Sequence, residues 1–567
     1  MNKFSSLART LLPFVAASGC TSNNTAPPSD TSDDFTGISE AAEGLTDLSG
    51  ECTFATGTLT VALATGDVAM VSRSPGSDAS MLINGFACGG ATSTTMKKLV
   101  VTGTAGAQTL IIDYSGGMFG LGTTTGTGID VDMAGGTDAV KFRGTKAADT
   151  WVFGSTGIAV NADTYKDVTV ANAETFVVSM TDGDDSFSGQ GNATTGGAAF
   201  ATAITVYGGA GKDTLKGGSG ADTLDGGDGD DVFVAAAADG DDVLVGGAGA
   251  DTADYATRTV ALTLANDGTA TSGATGEADT IGADIETMKG GTGNDIITGG
   301  AGNDTIYGGA GDDTITGGLG NDTLYGDAGN DTFLEGAATS GADIFNGGAG
   351  TDTVSYTART NNVVALIDGV AHSGETSETD KLMADIENIT GGGGDDTITG
   401  SAVDNVLDGG AGNDTLNGLA GNDTLHGGAG NDTMNGGDGS DRFDEDTAAS
   451  GNDTMNGGLG TDTVDYSGRT NDLTVTMLPS AVSGESGESD VIGADIENCK
   501  GGAGDDTITG NPLDNQIEGG AGVDTIFGMA GDDLIDGQAG ADVIDCGSGD
   551  ADILLDATVA SSVSCEL

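Results

Sequence analysis

The chain has 567 residues, of which 103 are glycine and only 6 proline, which excludes collagen and proline-rich linkers. It carries 87 acidic against 18 basic residues, and the net charge of −69 with a single tryptophan excludes nucleic acid as a partner. No apolar run is long enough to cross a membrane as a helix.

The first element is an export signal, residues 1–20. Lys3 and Arg9 precede or flank a short apolar run from Leu11 to Ala17, which ends in Ala-Ser-Gly-Cys at Cys20. This resembles a bacterial lipoprotein signal, and the resemblance implies acylation of Cys20; an ordinary secretory peptide with an incidental cysteine is the alternative. Residues 21–35 are polar and read as a flexible tether. Residues 36–207 are rich in Thr, Gly and Val, with short strand-like runs such as LTVAL, KKLVVTG and QTLIIDY. They are expected to form a β-rich head that merges into the C-terminal repeats, with degenerate echoes of the repeat unit at AGGTDAVKFRG and TDGDDSFSGQG. A separate β-sandwich is the alternative.

From Gly208 a nine-residue unit takes over: GGAGKDTLK, GGSGADTLD, GGDGDDVFV. It fills four blocks, 208–254, 290–355, 391–465 and 501–567, as Gly-Gly-x-Gly-x-Asp-x-U-x with U apolar. Roughly twenty such units in register cannot arise by chance. The inter-block segments 255–289, 356–390 and 466–500 repeat on a longer period. They open on YATRT at Tyr255, YTART at Tyr356 and YSGRT at Tyr466, and close with Glu286, Glu387 and Glu497 aligned. They are expected to be wider, irregular coils carrying a small β-excursion.

The nonapeptides resemble those of the RTX (hemolysin-type) calcium-binding proteins. That resemblance implies an all-β fold: a right-handed parallel β-roll or solenoid in which six residues turn, three form a strand, and eighteen complete a coil. Its implied cofactor is Ca²⁺, in many copies. The chemistry agrees. Glycines at positions one, two and four let carbonyls crowd the turn, and the sixth-position aspartate adds carboxylate oxygen, a hard donor set without imidazole or thiolate. The expected ligands are Asp213, Asp222 and Asp231; Asp295, Asp304, Asp313, Asp322, Asp331 and Asp352; Asp396, Asp414, Asp423, Asp432, Asp441 and Asp462; and Asp506, Asp524, Asp533 and Asp542. Backbone carbonyls of turns such as Gly299, Gly300, Gly302, Gly308, Gly309 and Gly311 would complete the shells. The bland alternative is that the aspartates merely cap turns. The units GSAVDNVLD at Gly400 and GNPLDNQIE at Gly510 lose the glycines and shift the acid, which puts their sites in doubt. One apolar residue per nonapeptide is a thin core, so the repeats should be largely unfolded until metal reverses the repulsion between stacked carboxylates.

In an exported protein the remaining cysteines should pair as Cys52–Cys88 and Cys546–Cys565, with Cys499 a buried free thiol. Two histidines, no His-Glu-x-x-His and no Gly-x-Ser-x-Gly leave no catalytic residue to nominate. The chain is therefore expected to be a non-enzymatic, lipid-anchored structural or adhesive protein of the outer cell surface or extracellular space. Its expected partners are calcium and cell-surface glycans or matrix proteins, with the membrane reached only through the anchor. A calcium-dependent RTX exoenzyme with an unrecognised catalytic head is the alternative.

Overall fold

The computed structural model describes residues 52–565, apart from short stretches at 56–57, 65, 74–79, 85, 93–97, 116–127, 161–166, 238, 446, 448–449, 479–480, 550 and 556–559. The export signal, the tether and Cys20 lie outside the described residues. Every regular element described is a strand.

Within a block the architecture arises from the nonapeptide. The U residue sits mid-strand with its neighbours pointing outward, and the next nonapeptide places its own U residue on the facing wall. Ile296–Thr298 pairs in parallel with Thr314–Thr316, in register Ile296↔Thr314, and Thr314–Thr316 pairs with Thr332–Leu334. The intervening strands form the second wall, with Thr305–Ala310 parallel to Thr323–Ala328. Each coil thus takes eighteen residues, from Thr305 to Thr323. Ile297, Ile315 and Phe333 from one wall meet Ile306, Leu324 and Phe345 from the other in a single core, all fully buried.

The head keeps the same plan with longer coils. Thr58–Ala62, Lys98–Thr102, Ile129–Asp132 and Val168–Ala171 stack in parallel on one wall. Val68–Arg73, Thr109–Asp113, Ala139–Arg143 and Thr175–Asp182 stack on the other. The second wall then runs through Ile204–Ala210 into Thr223–Asp228, so no break separates head from repeats. Coil length falls from forty residues at Thr58↔Lys98 to eighteen at Thr205↔Thr223. The wider interior is filled by edge-to-face aromatics, with Trp151 against Tyr114 and Phe142, and Phe153 against Phe142 and Phe200.

Each inter-block segment is a detour in one wall while the other continues. Across 255–289 the continuing wall steps from Thr252 to Thr287. On the other wall, Leu262–Ala265 runs ahead to pair with the later strand Ile296–Thr298. The chain then doubles back through Ala270–Ala274 to Asp279–Ile281, which pairs with the earlier Val243–Ala248. The same S-shaped path recurs with Val364–Leu366 and Lys381–Leu382, with Thr474–Thr476 and Val491–Ile492, and in the head with Thr150–Gly154, Gly157–Val160 and Val168–Ala171.

At the same place in each detour, Arg258, Arg359 and Arg469 are buried. Arg359 reaches Glu335 at 2.6 Å, Glu378 at 2.8 Å and Glu375 at 3.3 Å. Arg469 repeats the arrangement with Glu445, Glu488 and Glu485, and Arg258 does so with Asp239 and Glu277. Beside them the hydroxyls of Tyr255 and Tyr466 donate to Asp279 and Asp490. Thus the shared Tyr and Arg-Thr of the sequence mark a buried ionic node at each detour.

Disulfides close both ends of the described solenoid, Cys52–Cys88 and Cys546–Cys565. Cys499 is free and fully buried in the core, and burial pushes its thiol pKa up.

Candidate metal centre

The sixth-position aspartates form rows along the edges of the roll. The Asp295 N–H donates to Oδ1 of Asp313 at 2.7 Å, Asp313 N–H to Oδ1 of Asp331 at 2.8 Å, and Asp331 N–H to Oδ1 of Asp352 at 2.8 Å. Asp304, Asp322 and Asp343 form the corresponding row on the opposite edge. The coil period forces this two-sided arrangement, because residues eighteen apart stack and residues nine apart face away. Asp213 and Asp231 are linked in the same way, as are Asp222 and Asp242, Asp396 to Asp414 to Asp432, Asp423 to Asp441 to Asp462, Asp506 to Asp524 to Asp542, and Asn515 to Asp533.

The second carboxylate oxygen divides the turns into two kinds. In most of them it is buried with no hydrogen-bond partner: Oδ2 of Asp213, Asp231, Asp313, Asp322, Asp331, Asp352, Asp414, Asp423, Asp441, Asp462, Asp524 and Asp533. We call these turns open. In Asp222, Asp295, Asp304, Asp396 and Asp506 it accepts instead from the second-position N–H of its own turn, for example Gly291 to Asp295 at 2.7 Å and Gly300 to Asp304 at 2.9 Å. These turns are closed. The backbone distinguishes them: the second residue has a left-handed φ in open turns, +107° at Gly309 and +104° at Gly318, whereas the glycines of closed turns do not.

The closed turns rest on something other than a glycine turn. A Cβ added to Gly291, Gly392 or Gly502 would meet the carbonyl of Arg258, Arg359 or Arg469, part of a detour. An open turn rests on the turn one coil earlier. A Cβ on Gly318 or Gly320 would strike the carbonyl oxygen of Gly300 or Gly302, which is why glycine recurs at positions two and four. Gly308, Gly309 and Gly311 belong to an open turn, and Gly299, Gly300 and Gly302 to the closed one beneath Gly317–Asp322.

An unpartnered, buried carboxylate oxygen is costly, and the cost shows in the acidities. Burial, with help from the carboxylates above and below, pushes Asp313 and Asp322 up to about 7, and Asp213 and Asp414 equally to about 7. Among the described residues no group of three His, Cys, Asp or Glu side chains is arranged to hold a metal ion by itself. The available donors are therefore one carboxylate per turn and the crowded carbonyls of stacked turns, a set that fits a hard divalent cation and not zinc. A cation there would supply the partner that each orphaned Oδ2 lacks.

Several members of the rows are not evident from the repeat consensus. Asp343 and Asp453 come after turns lengthened by three residues, at spacings of 21 from Asp322 and Asp432, and keep only the Gly-x-Asp of positions four to six. Asp251 lies in the eroded unit before Tyr255, linked to Asp231 at 2.8 Å. Glu286, Glu387 and Glu497 replace aspartate at the detours, each accepting from the N–H of the acid before it, Asp251, Asp352 or Asp462. The units at Gly400 and Gly510 place Asn405 and Asn515 at the sixth position. Both are closed, accepting from Ser401 at 2.7 Å and Asn511 at 2.9 Å, and their amides donate to the Glu387 carbonyl and to Asn511.

A family profile, the RTX calcium-binding nonapeptide repeat, matches residues 207–239, 236–254, 280–315, 302–333, 337–357, 384–416, 408–443, 447–468, 493–522 and 518–553. No curated protein matches the chain. The matched stretches fall in all four blocks of glycine turns and take in most of the aspartates in the rows along both edges. The chain belongs to the RTX calcium-binding repeat proteins.

Proposed function

We propose that this is an exported, lipid-anchored rod whose folding is driven by calcium, and that it acts at the outer cell surface as a structural or adhesive element rather than as an enzyme. The open-turn aspartates hold the ions together with carbonyls of the turns stacked on them. The observation that carries the reading is the coincidence of orphaned carboxylate oxygens with coil stacking: the groups needing a cation recur wherever one glycine turn rests on another. Support for a rod comes from the head, whose described strands extend the same two walls. At about 4.8 Å per strand the stack is roughly 100 Å long, enough to hold its free end well clear of a membrane. Acylation at Cys20 would place the tether at the membrane and the head beside it.

Two measurements on the full chain test the reading. Circular dichroism should show β-structure in calcium that is lost in excess EGTA at neutral pH; a full signal persisting in EGTA would refute calcium-driven folding. Cys20→Ala should move the protein from the membrane to the soluble fraction, and unchanged retention after a carbonate wash would refute the anchor.

A further inference from the structure

The matched repeats begin at residue 207, yet the aspartate row on one edge begins earlier. Asp149 N–H donates to Oδ1 of Asp185 at 2.5 Å, and Asp185 N–H to Oδ1 of Asp213 at 2.8 Å. The turn before Asp185 reads Met-Thr-Asp-Gly-Asp-Asp and lacks the leading glycines, but its backbone is that of an open turn. Thr181, at the second position, has φ +77°, beside +80° at Leu419 and +84° at Met529 in the repeats. Gly183, at the fourth, has φ +137°, beside +138° at Gly211. The turn carries the next one as the repeats do: a Cβ on Gly209 or Gly211 would strike the carbonyl oxygen of Thr181 or Gly183. Asp184 accepts from Lys212 N–H at 3.0 Å, as Asn294 accepts from Asp312.

Asp185 is 2 % exposed, and its Oδ2 has no partner. Asp149 is closed like the first turns of the second, third and fourth blocks, its Oδ2 accepting from Thr145 N–H at 2.6 Å. The nearby cations are turned elsewhere: Lys146 pairs with exposed Asp182, and Lys212 with Asp230. We propose that Thr181–Asp185 is a further calcium turn lying in the head, outside the matched repeats, which holds an ion through the Asp185 carboxylate and the stacked carbonyls of Thr181 and Gly183. A left-handed threonine is strained by about 1–2 kcal/mol, and a bound ion gives that conformation a purpose. The inference rests on the calcium-binding reading of the repeats and extends it upstream.

The chain's only tryptophan provides a local reporter. Trp151 is fully buried on the strand paired with Ser186–Ser188, in register with Phe187. Terbium(III), an oxygen-seeking substitute for calcium, luminesces after indole excitation only when bound close by. In the full chain, tryptophan-sensitised terbium emission should appear and be displaced by calcium. Asp185→Asn, which keeps the Oδ1 acceptor, should lower that emission several-fold and bind one or two fewer calcium ions by equilibrium dialysis. Asp524→Asn, in the last block, should lose ions without touching the emission. A chain that takes up calcium but shows no tryptophan-sensitised emission would overturn the head site alone, as would an Asp185→Asn variant with the parent's emission and ion count. A chain that takes up no calcium would overturn the reading of the repeats themselves. If Asp185→Asn fails to give the parent's circular dichroism in calcium, the emission of the parent still decides.

Discussion

Asp313→Asn should change the stability of the roll in opposite directions with and without calcium. The amide keeps the acceptor that receives the Asp295 N–H at 2.7 Å, so coil stacking survives, but it removes the charge on the orphaned Oδ2. In calcium the variant loses one or two ions. Each site at a hundredfold excess over its Kd contributes about 2.7 kcal/mol, so the local cost should be about 3–5 kcal/mol. In EGTA at pH 8 the parent must instead bury a carboxylate between those of Asp295 and Asp331. At about 5 Å and an effective dielectric near 20, each neighbour repels it by about 3 kcal/mol before screening. Asn405 and Asn515 show that the position tolerates an amide with its hydrogen bonds made. The metal-free variant should therefore be more stable than the parent, by on the order of 1–3 kcal/mol after solvent screening. Hydrogen exchange of residues 305–334 in the full chain reads both limbs, with an osmolyte added to the EGTA samples so that the metal-free roll is populated. Protection should fall in calcium and rise in EGTA. A change of the same sign in both conditions would refute the assignment of Asp313 as a ligand and favour simple turn capping.

Because Asp313, Asp322 and Asp414 have folded-state values raised by burial to about 7, above an unfolded value near 4, they favour the metal-free fold at low pH and lose that contribution as pH rises through 7. In EGTA, β-structure by circular dichroism should therefore grow from pH 8 to pH 5, while calcium affinity falls over the same range as protons compete for the carboxylates. Leu419 holds a left-handed φ of +80° with its side chain 52 % exposed, so Leu419→Gly should stabilise the calcium form by roughly 0.5–1 kcal/mol, seen as a raised Tm. Arg359→Met strands the buried carboxylates of Glu335 and Glu378 and should cost about 3–5 kcal/mol in denaturant melts; adding Glu335→Gln and Glu378→Gln should restore much of the loss.

The periodic part of this fold was legible because each nonapeptide carries its own instructions. The apolar residue at U fixes which side faces the core, and the glycines fix where carbonyls approach. Together they give eighteen residues per coil and place Asp295, Asp313 and Asp331 on one edge. The features that were not legible depend on the neighbouring coil. Asp295 and Asp313 sit in near-identical sequences, yet one is closed and the other open because Gly291 rests on the Arg258 carbonyl and Gly309 on a glycine turn. Asp343 and Asp453 were hidden by turn insertions, which change the spacing without disturbing the strand register. In the head the coil length varies between strands, so periodicity fails even though the alternation of buried and exposed residues survives. The Arg-Thr and aligned Glu of the inter-block segments were visible as a pattern, but the burial of Arg359 among three carboxylates is a tertiary fact.

The detours also solve a problem of accumulated charge. A row of buried carboxylates one coil apart becomes harder to hold with every member added, even when cations sit between them. On the wall that continues past the second and third detours, the row runs through Asp352 to Glu387 and through Asp462 to Glu497. The next sixth position is then neutral, Asn405 or Asn515, and closed by hydrogen bonds that need no metal. On the interrupted wall the row ends at Asp380 or Asp490, and a new one starts at Asp396 or Asp506, whose second oxygen is capped by the backbone. Each detour places a buried arginine beside the point where the acids stop. Negative charge is thereby divided into short runs, each bounded by groups that are satisfied without calcium. Coupling between ions should be divided in the same way, since a solenoid passes strain only between neighbouring coils. Loss of the Asp313 carboxylate should thus weaken protection around Asp295 and Asp331 in calcium, and leave the block beyond Glu387 and Asn405 as it was.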